Sequence, residues 1–450
     1  MSDLTLLRSR IAGPVLARND AGFAEEVAAW NRTFIHTPDV AVGATSASDV
    51  AEAVKFARGN GLAVRLQATG HGSHEAITDG VLILTRRLDA LSIDPASRIA
   101  TVGAGLPWGP VVEAAAKHGL APVTGSSGTV GVVGLVLGGG FGPLVRSHGV
   151  ASDYVRGFEV VTAEGEIVRA TADEHPELFW ALRGGKGGLG VVTEVAIELA
   201  ELPQLYGGSL IYDADDIEPA LRAWIEYTAT AAAEVSTSAA ILRVPDLPFV
   251  PEPLRGRTVL TVRFARPGDA ATGERLASPL REAAPVYLDL LADLPPANIA
   301  AIHNDPAEPS PGWTTGKLLD SIDQDFATAL LARVGPGVEV PFIAVELRHL
   351  GSAAAQDVAG GSAVGGRGAE FVLNIVGAPN PALFETVLPR AAAPLLDDLA
   401  PWISAEMNIN FVGYLPSGEH GENAWPAEMA TKLAEVRTIW DPEGVFAYGV

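Results

Sequence analysis

The chain has 450 residues, of which 48% are hydrophobic and 19% charged, a composition that excludes a disordered or collagen-like protein. With 31 Lys and Arg against 54 Asp and Glu, its formal net charge is −23, so it has no general electrostatic attraction to nucleic acid or to an anionic membrane. The absence of cysteine excludes disulfides, iron–sulfur clusters, thiolate zinc sites and cysteine nucleophiles.

The N-terminal residues contain no basic segment followed by an apolar one, so no secretory signal is predicted and a cytoplasmic location is expected. The next elements follow from residue patterns. Ser46 and Asp49 resemble a helix cap ahead of apolar residues at helical spacing, and Gly59 and Gly61 end that helix. Alternating or continuous apolar residues then predict strands at 62–66, 81–84 and 99–102, and a helix at 108–118.

Residues 119–145 carry no charge, yet nine of the 27 are glycine. A helix loses about 1 kcal/mol of stability at each glycine relative to alanine, so this segment is predicted to be a loop system and not a membrane span. Such dense glycine permits positive φ angles and can expose backbone N–H groups that bind an anion such as a pyrophosphate. A crowded turn between strands explains the same glycines equally well.

Beyond residue 145 the patterns predict a hairpin of strands 158–162 and 167–170, a helix at 176–182 and a strand at 191–199. From residue 205 strands are predicted at 209–212, 236–244, 258–264, 342–350, 371–376 and 407–414. Helices are predicted between them at 217–233, 269–284, 323–334 and 381–397, with a last helix at 425–439 and a surface loop at 360–368.

These elements predict an α+β protein with three parts: a first domain over residues 1–202, a second over 203–418 with a large antiparallel sheet flanked by helices, and a C-terminal segment over 419–450 that returns to the first domain. Residues 1–200 carry a net charge of −5, whereas residues 201–450 carry −18. The first domain is therefore better suited to an anionic ligand, although acidic residues that merely solvate helices would give the same contrast.

Three short motifs match patterns for dinucleotide, phosphate or metal binding, but their context does not support these functions. Residues 185–190 fit G-x-G-x-x-G, but a helix precedes them and a strand follows, which is the reverse of a dinucleotide-binding turn. Gly316-Lys317 lacks the remainder of a phosphate-binding loop. His71 and His74 have only Glu75 as a nearby third ligand, so no metal site is predicted.

Longer motifs resemble a known family. They are Gly61–Ser73, Gly128–Gly134, Gly138–Leu144, Ser147–Asp153, Val160–Gly165, Glu177–Gly185, Gly190–Val195 and Val436–Phe446. In this order they resemble the flavin domain of the vanillyl-alcohol-oxidase/para-cresol-methylhydroxylase superfamily, in its berberine-bridge-enzyme-like branch, which includes hydroxynicotine oxidases and bacterial secondary-metabolite oxidases. The resemblance implies a two-subdomain, PCMH-type FAD-binding domain followed by a substrate domain.

The resemblance also implies FAD as the cofactor, with His71 bonded to the 8α-methyl group of the flavin. Some relatives form a second bond through a cysteine; Ser127 stands at that position, so at most one covalent bond is expected. In relatives, the position of Val130 lies beside the flavin, and a small residue at this position goes with access of O2 to the flavin. The further residues expected to bind the cofactor are Gln67, Ala68, Thr69, Gly70, Gly72, Ser73, Gly128, Thr129, Gly131, Gly134, Gly138, Gly142, Val192 and Phe446.

Candidate catalytic residues lie in the second domain. Strand alternation places Glu346 and Arg348 on one face; a carboxylate among apolar neighbours has a raised pKa, which a nearby arginine opposes. Glu346 is the candidate base, and a surface ion pair is the alternative. Asn410, in the predicted strand with Asn408, and Tyr414 are further candidates for contact with flavin or substrate.

The expected reaction is hydride transfer from a carbon bearing an alcohol or amine to FAD, followed by reoxidation by O2 to give H2O2. A dehydrogenase that uses another acceptor, or a flavoprotein that binds or cyclises a ligand without net redox turnover, are the alternatives. The expected partners are a small-molecule substrate and O2, and the protein would be a monomer or homodimer. The low lysine content is typical of a GC-rich bacterial genome.

Overall fold

A computed structural model describes residues 2–248, 250–414 and 424–446 of the chain. Up to residue 201 it contains helices α1 (Ser2–Arg10), α2 (Phe23–Glu26), α3 (Ala47–Gly59), α4 (Trp108–Ala116), α5 (Val132–Val136), α6 (Val145–His148) and α7 (Pro176–Leu182). The strands of this part are β1 (Val15–Ala17), β2 (Val40–Gly43), β3 (Val64–Gln67), β4 (Val81–Leu84), β5 (Leu91–Asp94), β6 (Ile99–Gly103), β7 (Leu120–Ala121), β8 (Val155–Val161), β9 (Ile167–Ala170), β10 (Val191–Glu198) and β11 (Ala200–Glu201).

The first domain is built on two sheets. One has the order β1-β2-β4-β3, with parallel pairing of β2 and β3 to β4, and the other has the antiparallel order β5-β6-β10-β8-β9. The predicted helix after Ser46 is present, and the Ser46 hydroxyl accepts a hydrogen bond from the Asp49 backbone N–H, as expected of an N-cap. The predicted hairpin is present as β8 and β9.

The remaining elements form a second domain and a C-terminal helix. The strands are β12 (Leu205–Tyr212), β13 (Ser236–Arg243), β14 (Thr258–Pro267), β15 (Leu288–Asp289), β16 (Ala292–Leu294), β17 (Thr314–Leu319), β18 (Phe342–His349) and β19 (Phe371–Gly377). The helices are α8 (Ile217–Thr228), α9 (Ala270–Arg281), α10 (Gln324–Val334), α11 (Val387–Leu399) and α12 (Ala427–Trp440).

The eight strands of the second domain form one antiparallel sheet of order β15-β12-β14-β13-β18-β19-β17, with β16 also paired to β12. The predicted large antiparallel sheet flanked by helices is therefore confirmed. One face is apolar: Val345 and Leu347 of β18 lie in a core with residues of helices α8 to α11, such as Trp224 and Phe326. The other face carries polar and charged residues and faces the first domain.

Residues from the C-terminal segment lie against the first domain. The Trp425 indole N–H donates to the carbonyl of Gly184 at 3.2 Å, and the Arg437 guanidinium donates to the carbonyl of Gly185 at 2.7 Å. The predicted domain boundary at residue 418 falls outside the described residues. Within those residues, no helix has the length and apolar character needed to cross a membrane.

Three predictions about elements were wrong. The glycine-rich segment contains helix α5 between its glycines, so it is only partly a loop. Residues 407–414 form turns where a strand was predicted, because the Asn408 side chain accepts a hydrogen bond from the Asn410 N–H and Gly413 has φ +73°. Residues 362–366, predicted as a surface loop, are buried against both domains.

Candidate functional site

A cleft in the first domain is bordered by the turn after β3 and by the glycine segment that contains α5. Residues 126–130 are half-buried, and Gly134 is exposed although Val132, Val133 and Val136 of the same short helix are buried. A Cβ built on Gly134 meets nothing within 4 Å. Helix α5 thus presents bare backbone to open space at this point.

His71 lies at the edge of this cleft, in the turn that follows β3. Its Nε2 is 2.9 Å from the hydroxyl of Thr129, which is in turn 2.9 Å from the hydroxyl of Ser127. Burial lowers the pKa of His71 to about 4, so the imidazole is neutral at pH 7. The Nδ1 atom makes no hydrogen bond with any described residue, which leaves it available for a further bond.

The turn that carries His71 is held in place by a segment near residue 30. The indole ring of Trp30 stacks on the imidazole with 3.8 Å between ring centroids. The backbone N–H of Trp30 donates to the carbonyl of Thr69 at 2.8 Å, and that of Asn31 donates to Gly70 at 3.2 Å. Gly70 has φ +76°, and a Cβ there would lie 2.5 Å from the Cβ of Ala29. Glycine is therefore required at residue 70.

Gln67, at the end of β3, is buried and donates to the carbonyls of Val27 and Ala28, each at 3.3 Å. It thereby joins the strand that leads into the His71 turn to the segment that precedes Trp30. Ala68 and Thr69 lie close to Gly131: a Cβ on Gly131 would be 3.5 Å from the Thr69 side chain. The turn and the glycine segment therefore approach one another closely.

Other glycines of the segment are required for close packing. A Cβ on Gly138 would lie 2.2 Å from the Asn410 amide oxygen, and one on Gly142 would lie 1.8 Å from the carbonyl of Thr124. Gly72, by contrast, has nothing within 4 Å of its built Cβ and is exposed, and Ser73 accepts a hydrogen bond from Asn31.

The open backbone at Gly134, the neutral imidazole and the glycine turns fit a long, flat cofactor with a phosphate-bearing chain. No lysine or arginine occurs in residues 119–145, so backbone N–H groups there would have to bind the phosphates. FAD meets these requirements, because its pyrophosphate needs backbone donors and its ring needs an open, partly apolar surface.

A group of charged side chains lies on the polar face of the large sheet. In β14, β13 and β18, Arg263, Ser238 and Arg348 are paired in register, so all three point to the same face. The Glu346 carboxylate accepts from the Arg263 guanidinium at 2.8 Å and from Arg348 Nε at 2.8 Å. These contacts confirm that Glu346 and Arg348 share one face.

The environment of Glu346 shows which of two opposing effects on its pKa is larger, burial or the nearby arginines. Burial alone would raise the pKa of Glu346, but the positive charges of Arg348 and Arg263 lower it to about 2. The side chain of Glu346 is only 7% exposed. Glu346 is therefore an ionised, buried carboxylate, and it is not a surface ion pair.

A small cavity between this sheet face and the first domain is lined by Phe141, Pro143, Ser238, Arg263, His303 and Arg348, among others. His303 Nε2 is 3.6 Å from the Glu346 carboxylate, and neither ring nitrogen has a hydrogen-bond partner among the described residues. Burial, together with the charges of Arg263 and Arg348, lowers the pKa of His303 to about 3. The imidazole is thus neutral.

The two groups approach one another at the turn after His303. Asp305, which is exposed, accepts a hydrogen bond from the Ser126 hydroxyl at 2.8 Å. Its charge acts on His71 on one side and on His303 and Arg348 on the other. The cleft with His71 and the polar face with Glu346 are therefore adjacent parts of one site.

Asn410 faces the glycine segment. Its Nδ2 donates to the carbonyl of Leu135 at 3.0 Å, and its Oδ1 accepts from the Lys186 ammonium at 3.0 Å. Lys186 also donates to the carbonyl of Gly134 at 2.9 Å. Asn410 therefore reaches the border of the cleft, although it makes no hydrogen bond with Glu346 or Arg348.

The last three candidates lie away from the charged group. Tyr414 packs near Phe34 and Trp313, with ring centroids 6.2 and 6.5 Å away. Val192 and Phe446 are buried in the core of the first domain. Their roles toward substrate or cofactor remain predictions.

Five residues of the site were missed by sequence reasoning: Trp30, Lys186, Arg263, His303 and Asp305. Lys186 interrupts a glycine run, which is a usable signal. Arg263 is a charged residue within an apolar strand pattern, which is a second one. Trp30, His303 and Asp305 occupy irregular segments, where no periodicity identifies them.

Comparisons with known proteins agree with this geometry. Residues 38–171 match the model of a family described as an FAD binding domain. Over 196 residues the chain is 41% identical to (R)-6-hydroxynicotine oxidase of Paenarthrobacter nicotinovorans, which is 43% of this chain and 43% of that protein. The aligned region therefore spans less than half the length of that relative.

Solved structures match over nearly the whole chain. 6-Hydroxy-D-nicotine oxidase from Arthrobacter nicotinovorans superposes with a TM-score of 0.81 at 24% identity, covering 98% of this chain and 97% of that one. Physcomitrella patens BBE-like 1 gives a TM-score of 0.83 at 18% identity, covering 99% and 98%. At these identities the likeness shows the fold alone.

The fold is thus the two-domain, PCMH-type flavoprotein fold that the motifs indicated. Residues 38–171 match an FAD-binding domain, the chain is a homologue of (R)-6-hydroxynicotine oxidase over the aligned region, and its structural neighbours include berberine-bridge-enzyme-like proteins. The predicted fold class and the FAD-binding domain are confirmed, whereas attachment of the flavin through His71 stays a prediction.

Proposed function

We propose that this protein is an FAD-dependent oxidase that removes a hydride from a carbon bearing an alcohol or amine in a small organic substrate. The observation that carries the proposal is the adjacency of two parts: an open, glycine-lined cleft with a neutral His71, and a sheet face with an ionised Glu346. A bound FAD would supply the hydride acceptor and return the two electrons to O2, giving H2O2.

The protein residues would divide the remaining work. Because its pKa is lowered to about 2, Glu346 is unprotonated at pH 7 and can accept a hydrogen bond from the substrate hydroxyl or amine. Its low pKa makes it a weak base in the ground state. As the hydride leaves, an alcohol donor becomes a protonated carbonyl, which is a strong acid, and Glu346 can then take that proton to give the neutral carbonyl product.

His71 is proposed to hold the flavin covalently through Nδ1, in a bond that would replace one C–H bond of the 8α-methyl group; the protons would pass to solvent and the two electrons, by way of the flavin, to O2. Three observations support this choice: the imidazole is neutral, its Nε2 is engaged by Thr129, and its ring is fixed by stacking on Trp30. A neutral nitrogen with a free lone pair is a nucleophile, whereas an imidazolium is not. Since Ser127 cannot form a thioether, the attachment would be single.

The first test is of the cofactor and its attachment. Acid precipitation of the purified protein should give a yellow pellet, and His71→Ala should release the yellow colour into the supernatant. His74→Ala, a change in the same turn, is the matched control and should keep the pellet yellow. A colourless pellet from the unchanged protein would contradict the covalent bond, and a flavin-free protein would contradict the proposed function.

Val130 is half-buried beside the cleft. In the family that the motifs resemble, a small side chain at this position leaves room for O2, which favours an oxidase over a dehydrogenase. With any substrate that bleaches the flavin under argon, we expect H2O2 in amounts equal to the O2 consumed. Flavin that bleaches but is not reoxidised by air would favour the dehydrogenase. Flavin that no ligand bleaches would favour a protein without redox turnover.

A further inference from the structure

The charged group on the sheet face has more positive than negative charge. Arg263 and Arg348 both contact the same carboxylate, Glu346, and the three side chains are 9%, 15% and 7% exposed. Buried charges that lack full compensation are costly, because the protein interior solvates them poorly. Two guanidinium groups that share one carboxylate leave one positive charge available to an anion.

Neighbouring titratable groups do not remove this surplus. His303, the nearest of them, is neutral because its pKa is lowered to about 3. Asp305 acts on Arg348 but is exposed to solvent at its turn and bound to Ser126. Solvent screens an exposed carboxylate strongly, so Asp305 compensates a buried guanidinium only in part.

Arg348 still has donors to offer. Its Nε is bound to Glu346, but neither of its two Nη groups makes a hydrogen bond with any described residue. The guanidinium lies over the ring of Phe411, with its central carbon 5.6 Å from the ring centroid. In Arg263, Nε is buried and has no partner among the described residues. The cluster therefore presents unused N–H groups at the cavity.

We propose that the substrate of this site carries a carboxylate, which the free Nη edge of Arg348 binds as a two-pronged pair with Arg263 in support. A planar guanidinium matches a carboxylate in geometry and charge. Phe141, Phe264 and Ile302 line the same small cavity, so apolar side chains adjoin the position proposed for the acid group. This inference rests on the proposed function, since it assigns the oxidisable alcohol or amine to an acid.

The test uses benzoate and its neutral counterpart benzamide, with the flavin-loaded protein. Binding is measured by calorimetry and by the change in the flavin absorption spectrum. We expect benzoate to bind at least 10-fold more tightly than benzamide. Arg348→Met should weaken benzoate binding at least 10-fold and leave benzamide binding within about 2-fold, since a lost charge-assisted pair affects only the anion.

Arg333→Met is the matched control, because Arg333 forms an exposed ion pair with Asp398, and it should leave both affinities unchanged. If Arg348→Met does not fold, Arg348→Gln, which keeps an amide donor for Glu346, serves in its place with the same expected loss. Equal affinities for benzoate and benzamide in the unchanged protein, or a folded variant with undiminished benzoate binding, would overturn the proposal.

Failure of this inference is distinguishable from failure of the proposed function. Calorimetry reports benzoate binding whether or not a flavin is present, whereas the acid-precipitation experiment reports the flavin alone. If the protein contains flavin but binds benzamide as tightly as benzoate, the oxidase proposal stands and the proposal of a carboxylate-bearing substrate is refuted. A flavin-free protein that prefers benzoate would refute the oxidase proposal and retain the anion site.

Discussion

Lys186 shows how much one residue contributes at the border of the cleft. It stands between glycines with φ +63°, a left-handed conformation that is unfavourable for a residue with a Cβ. Its ammonium donates to Gly134 and Asn410, and so joins three chain segments. Burial lowers the pKa of Lys186 to about 8. The hydrogen bonds therefore offset both backbone strain and desolvation.

Replacing Lys186 by methionine should destabilise the protein. Two acceptors lose their donor while the strained backbone remains, at a cost of about 1–3 kcal/mol and a fall in melting temperature of about 1–3 °C for a chain of this length. Lys186→Gly should cost less, because glycine relieves the strain at positive φ.

Thermal melts of the two variants check this expectation, with Lys55→Met as the control. Among the residues that the structure describes, the Lys55 ammonium is paired only with Glu52, in an exposed position on the same helix, so its loss should hardly change the melting temperature. If the Lys186→Met variant has the same melting temperature as the unchanged protein, the two hydrogen bonds contribute nothing to stability.

At the scale of elements, regular periodicity predicted most strands and helices. Strand β4 was predicted at its observed residues, and the helices around Val50 and Leu178 were placed to within a few residues. Periodicity reports which face is buried, so it succeeds where an element packs by one face. Residues 407–414 alternate between polar and apolar like a strand, because polar Asn408 and Asn410 flank apolar Ile409. The side chains of both asparagines nevertheless bind backbone groups, and the segment forms turns.

Asn408 should be the residue that holds those turns. It is buried, its Oδ1 accepts from the Asn410 N–H at 3.1 Å, and its Nδ2 donates to the carbonyl of Gly365 at 2.9 Å. Asn408→Ala leaves both groups buried without partners, which costs about 1–3 kcal/mol. We expect a clear fall in melting temperature.

Asn380→Ala provides the comparison for this variant. Asn380 likewise caps a turn, accepting from the Ala382 N–H at 3.2 Å, but it does so in an exposed position. Water replaces the lost partner there, so its loss should cost at most about 1 kcal/mol. Equal melting shifts for the two variants would contradict the role given to burial of Asn408.

At the scale of the whole molecule, the sequence predicted the two-domain order and the polar face of one strand but not the meeting of distant charges. Arg263, His303 and Glu346 lie on β14, on the segment before β17 and on β18. Only the register of the assembled sheet brings Arg263 to Glu346, and register is set by packing and turns across the whole domain. His303 reaches them from a segment outside the sheet. Glu346 could therefore be proposed from its strand, whereas its partners could not.

Because Glu346 joins these elements, it should couple the stability of the molecule to pH. Its pKa falls from the ordinary 4.5 to about 2 in the folded protein. A lowered carboxylate pKa means that the unfolded chain binds protons first, so the stabilisation is complete above pH 4.5 and is lost as the pH falls towards 2. At pH 7, Glu346→Gln should be less stable by about 3 kcal/mol, because it leaves buried arginines without their anion.

Denaturant unfolding of the unchanged protein and Glu346→Gln between pH 7 and pH 3 measures this coupling. The stability gap should be constant down to about pH 5 and narrow below it, as Glu346 in the unfolded chain takes up a proton. Asp398→Asn, which alters an exposed ion pair with Arg333, should show little gap at any pH. A gap for Glu346→Gln that does not change down to pH 3 would mean that Glu346 contributes through packing and not through its charge.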